Sequence, residues 1–192
     1  MIEDNLLRVY GIEPGSDGLP LRTILGALRT AGYPVAFLTG IAGETTDEEL
    51  DADAWDAAFI RWNEPQIHEI ALIERDLVAD SEETRIYLSQ TIQSVMNHAD
   101  LVGQTIVANH LRKTVSIYSV QILPALLESD DHDGWAALDV ALRCIAAQVD
   151  GLIYVPGEGF CDCDGELILA DDEDLFDSET DEFGLEEEPE QA

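Results

Sequence analysis

Lysine is almost absent from this chain. Lys113 is the only one, and with eight arginines it faces 41 Asp and Glu, for a formal charge of −32 over 192 residues. Such a field repels nucleic-acid phosphates and anionic membrane surfaces and draws in cations or basic protein surfaces. Twelve of the acids lie after Ala170. Without them, 29 acids against nine bases still leave a net −20 on residues 1–170. The body is therefore acidic as well as the tail, through function or through adaptation for solubility or salt.

Long apolar runs are missing too. No stretch approaches the ~18 residues that span a bilayer, so no membrane association is expected. The first ten residues carry acids early and no apolar core, so a secretory leader is not expected and the cytoplasm is the default location. Cysteine is sparse, at Cys144, Cys161 and Cys163. An odd number leaves at least one thiol unpaired, as suits a reducing compartment. A chain of this length buries enough apolar surface to fold without disulfides or a structural metal.

Three segments are expected: an N-terminal arm over 1–18, punctuated by Gly11, Pro14, Gly15 and Gly18; one α/β or α+β domain over 19–170; and a disordered acidic tail over 171–192. The tail cannot offset its ordering entropy, although Leu175, Phe176, Phe183 and Leu185 could dock. Within the domain, Leu21, Ile24, Leu25 and Leu28 recur at helical spacing and Gly32 stops the helix. A strand follows over Tyr33–Leu38, then an acidic stretch with a capped turn at Thr45 or Thr46. Trp55–Trp62 and Ile67–Arg75 read as a hairpin around Asn63-Glu64-Pro65-Gln66. Its second strand holds Ile70-Ala71-Leu72-Ile73, the pattern of a buried central strand.

Asp80 or Ser81 caps the next helix, with Ile86, Ile92, Val95 and Met96 as its apolar stripe. A further helix is expected over Leu101–Arg112, weakened by Gly103. The β-branched run Val115–Leu123 reads as a strand, the alternative being one helix to Ile122. Trp135, Leu138, Ala141, Leu142, Ile145 and Ala146 then share one helical face. Leu152–Val155 is a strand, and Asp164-Gly165 marks a two-residue hairpin with Cys161 opposite Ile168. The order α-β-β-β-α-β-α-β-β implies a single mixed sheet of six or seven strands with helices mainly on one face. Strands joined through a helix should be parallel where they neighbour each other.

Motifs that carry chemistry are also scarce. Cys161 and Cys163 offer two thiols where structural zinc needs four ligands, and read as strand residues. Asp162-x-Asp164-Gly165 puts Phe160 where a calcium loop needs an oxygen donor, and reads as a turn. Asp130, Asp131, His132 and Asp133 read as a helix start, Asp133 being the cap, rather than a cation site. His68, His98, His110 and His132 are scattered, and no G-x-S-x-G or H-E-x-x-H is present. Gly157-Glu158-Gly159 precedes no helix and carries an acid, so it reads as a bend rather than a phosphate loop. No motif calls for a cofactor or a metal.

No stretch names a family. The order α-β-β-β-α-β resembles the start of small acidic secretion chaperones. That likeness covers about half the chain, carries no diagnostic residue, and ends after Leu123. The expectation is a non-catalytic acidic binding module (chaperone-like, adaptor or immunity-type) for a basic protein, with Trp55, Trp62 and Trp135 as candidate anchors. The alternatives are an enzyme with an unrecognised His/carboxylate site around His132, and a DNA mimic.

Overall fold

Eight strands form one sheet in the computed structural model, which describes residues 6–12, 18–39, 45–63, 67–129 and 131–171. The elements in chain order are β1 (Leu6–Gly11), α1 (Leu21–Thr30), β2 (Val35–Leu38), α2 (Asp47–Asp51), β3 (Ala57–Trp62), β4 (His68–Leu77), α3 (Glu82–Met96), α4 (Leu101–Leu111), β5 (Ser116–Ile122), α5 (Pro124–Leu127), α6 (His132–Val149), β6 (Gly151–Val155), β7 (Gly159–Cys161) and β8 (Leu167–Ala170). The strand order is β2-β3-β4-β5-β1-β6-β7-β8.

The single sheet with helices mainly on one face stands as expected, with eight strands. Every neighbouring pair is antiparallel, so the expected parallel pairs are absent. Two causes are visible. Between β4 and β5 the chain makes two helices, α3 and α4, which pack on each other and bring it back to the end it left. Leu77, the last residue of β4, pairs with Ser116, the first of β5. Between β5 and β6 it makes a crossover through α6, but β1 lies between those strands and is antiparallel to both.

The segment expected as an N-terminal arm therefore holds the strand that closes the middle of the sheet. Leu7 and Val9 point into one core and Tyr10 into another, all buried. A strand covered on both faces is a central strand.

The first core lies under α1 and α6. Leu21, Ile24, Leu25 and Leu28 of α1, and Leu138, Ala141, Leu142 and Ile145 of α6, meet the inward residues of β1 to β6. Fully burying a leucine or isoleucine is worth about 1.5–3 kcal/mol, so this double layer dominates the fold. Leu50 of α2 and Leu126 of α5 also join it. The second core is smaller. Leu88 and Val95 of α3 and Val107, Ala108 and Leu111 of α4 pack on Tyr10, Ile117, Leu152, Phe160 and Leu169.

Caps set the helix starts. The Ser81 hydroxyl accepts from Thr84 N–H and the Asp100 carboxylate from Val102 N–H. Asp131, not Asp133, caps α6, accepting from the N–H groups of Asp133 and Gly134. Thr46 and Glu49 form a reciprocal capping box on α2. Of the stripe expected on α3, Val95 is buried and Ile92 packs partly buried on the second core, but Ile86 is 53 % and Met96 42 % exposed, and Thr84 and Leu88 are buried in their place. At 100° per residue Ile86 lies almost opposite Leu88.

The last hairpin also departs from its expected register. Cys161 pairs with Leu167, and Gly165 N–H donates to the carbonyl of Asp162. Cys163 thus sits in the turn. Gly165 has φ +80°, and the Asp162 carboxylate accepts from the N–H groups of Asp164 and Glu166. This is a tight turn followed by a bulge, one residue longer than a two-residue loop. Most of the Asn63–Gln66 turn, Asp130 and the tail after Asp171 lie outside the described residues.

Candidate functional site

Helices α3 and α4 cover only the β1 and β6–β8 side of their face. Over β2, β3, β4 and the ends of β5 and β1 that face is open, and the strands alternate accordingly. Ala58 and Ile60 are buried in the first core; Phe59 between them is 37 % exposed on the open side. Cross-strand pairing aligns the open side chains in rows. Leu38 faces Phe59, Phe59 faces Leu72, Leu72 faces Gln121 and Gln121 faces Leu6. An apolar row thus runs over three strands before turning polar.

Acids border that row. Glu69 lies opposite Arg61 at one end of β4, and Glu74 and Asp76 lie beyond Leu72 at the other, all three exposed. A bulge at Ile60/Arg61 puts Ile70 and Ala71 together in the first core and keeps Glu69 on the open face. The N-terminal half of α3 forms a wall. Between wall and sheet lies a cleft of about 350 Å³ lined by Arg8, Asp76, Ser119, Glu83, Thr84 and Tyr87.

Tyr87 separates this cleft from a second one of about 260 Å³ under the C-terminal half of α3, lined by Tyr10, Gln90, Thr91, Tyr154, Phe160 and Asp171 among others. The Arg8 guanidinium lies 4.7 Å from the centre of the Tyr87 ring, a cation–π contact. The Tyr10 and Tyr87 hydroxyls are 2.8 Å apart. The Tyr154 hydroxyl donates to Asp171, which also accepts from Gly157 N–H. Burial pushes the phenols of Tyr10 and Tyr154 well above their ordinary value; Tyr87 adds to the effect on Tyr10, and Asp171 to that on Tyr154. Both stay neutral hydrogen-bonding groups at physiological pH.

The residues singled out in sequence are spread over the molecule. Trp55 and Trp62 are each only 6 % exposed, in the first core. The Trp55 indole N–H donates to Leu19 O at 2.7 Å, and the Trp62 ring lies tilted against that of Tyr33. Trp135 is 39 % exposed, on α6, behind the opposite face of the sheet from the open rows. The strand periodicity around Phe59 and Leu72 was the available signal for the open face, but it needed knowledge of which face a helix covers.

The four histidines stand on separate elements. His132 is exposed at the start of α6, and a ring nitrogen of His110 lies 2.7 Å from Tyr10 O. Cys144, Cys161 and Cys163 are free thiols, and burial raises Cys144 and Cys161 above the usual thiol range. Among the described residues no three His, Cys, Asp or Glu side chains converge on a metal position, and no helix is long and apolar enough to cross a membrane. Gly157 belongs to the β6–β7 turn, with φ +79°.

No protein-family model matches the chain, and no curated protein or solved structure is found similar to it.

Proposed function

We propose that this chain is a non-catalytic, acidic protein-binding module whose open half-sheet receives a basic protein surface. The observation that carries the reading is the row Leu38–Phe59–Leu72 bordered by exposed Glu69, Glu74 and Asp76. A partly apolar centre with a charged rim is the usual anatomy of a protein interface. The acids speed the encounter and select the sign of the partner; the apolar row supplies the lasting contact. At physiological salt the attraction acts within a Debye length of about 8 Å, so charge alone gives fast but weak association. Phe59 takes the anchoring role that the sequence suggested for tryptophan.

The test is capture from a native lysate on the full chain at low and high salt, beside Phe59→Ser and the pair Glu74→Gln with Asp76→Asn. One basic partner that survives high salt and is lost with Phe59→Ser supports the reading. Many basic proteins, all released by salt, reduce the acidity to a solubility feature. Retention of DNA or RNA contradicts it.

A further inference from the structure

Charge is nearly absent from one part of this highly charged molecule. From Ile86 to Leu111, most of α3 and all of α4, the only Asp, Glu, Lys or Arg is Asp100. The same stretch holds five of the ten large hydrophobic side chains that are exposed among the described residues: Ile86, Met96, Leu101, Val102 and Ile106. Leu101 and Val102 are each 71 % exposed and Ile106 50 %. With Thr105 and Asn109 they make up the outer face of α4, whose inner face is already buried against the second core. A surface helix normally turns charge outward, and charge depletion over apolar residues marks the centre of an interface.

We propose that this face is a self-association surface, on which α4 of a second copy of the chain lies antiparallel about a two-fold axis near Ile106. Charge selects a second copy. The body carries −20 outside its tail, so two copies repel, and they approach most easily where acids are few. This face adds only Asp100, whose carboxylate is turned onto the helix start, where it accepts from Val102 N–H. Exposed Arg112 and Lys113 at the end of α4 offset the negative field of the partner. A two-fold interface requires a self-complementary patch, which an uncharged apolar helix face provides.

Salt separates this inference from the binding of a basic partner. Screening weakens the attraction of the acidic face for a basic protein but relieves the repulsion between two acidic bodies. Light scattering on the full chain, over a range of concentration and salt, should show a dimer whose fraction rises with salt. Ile106→Asp should shift the chain to monomer, and the pair Arg112→Glu with Lys113→Glu should weaken the dimer at least tenfold. Ile67→Asp, an exposed site before β4, should leave it intact, and circular dichroism should show all variants folded. A monomer under every condition overturns the proposal, as does a dimer indifferent to Ile106→Asp and to the Arg112/Lys113 pair. A monomer that dimerises only after removal of residues 172–192 would assign the face to the chain's own C-terminal segment.

Discussion

The hydroxyl of Tyr10, on the central strand, meets the hydroxyl of Tyr87, on the helix above it, at 2.8 Å. Tyr10 is fully buried and Tyr87 only half so. The two phenols are therefore not equivalent. Tyr87→Phe takes a partner from a hydroxyl that water cannot reach, which should cost about 1–3 kcal/mol. Tyr10→Phe leaves Tyr87 able to find water and should cost about 0.5–1.5 kcal/mol. The double variant should lie near Tyr10→Phe alone. Urea denaturation of the four chains measures this, and additive losses would show that the contact carries no energy.

Alkali should find the buried phenols on both faces of the sheet. Burial raises the Tyr10, Tyr118 and Tyr154 phenols above the ordinary value of 10.0. Above that value the unfolded chain loses these protons while the folded chain keeps them. Their contribution is thus complete below about pH 10 and is lost as pH rises beyond it. Phenolate absorbance should show the share due to Tyr10, Tyr118 and Tyr154 appearing only above pH 10.0. A complete phenolate transition at the ordinary value would contradict the packing of Tyr118 in the first core and of Tyr10 and Tyr154 in the second.

Adjacent residues on β3 should respond in opposite ways. Ile60 is fully buried and Phe59 is exposed. Ile60→Ala should cost about 2–5 kcal/mol through lost burial and a cavity. Phe59→Ser should change stability by less than about 1 kcal/mol. Thermal melts decide it; a large loss for Phe59→Ser would mean that the open face is covered in solution.

Gly165 provides a backbone test. Its φ of +80° is strained for a β-branched residue, and a Cβ there would also press on the Arg143 guanidinium, which is held between Asp139 and the Asp164 carbonyl. Gly165→Val should destabilise by about 1–3 kcal/mol, whereas Gly165→Asn, which brings the same Cβ but tolerates a left-handed backbone, should lose less. Equal losses from the two would argue against a conformational cause.

Local pattern was enough for elements whose signals lie within one turn or one strand. The face of α1, the Ser81 cap, the capping box at Thr46 and the paired strands around Pro65 rest on spacing and on side-chain to backbone bonds a few residues long. Tertiary structure decided what depends on distant partners. Leu6–Gly11 is too short, and too close to glycines and a proline, to announce a strand, yet it becomes the sheet's centre because β5 and β6 bond to both its edges. Sheet direction followed from α3 and α4 returning the chain to its starting end. The missing charge between Ile86 and Leu111 was legible in the sequence, but the exposure of Val102 and Ile106 was not. Phe59 and Ile60 are similar apolar residues on one strand, and only the sheet's face, one covered by α1 and α6 and the other left open, made one of them core and the other surface.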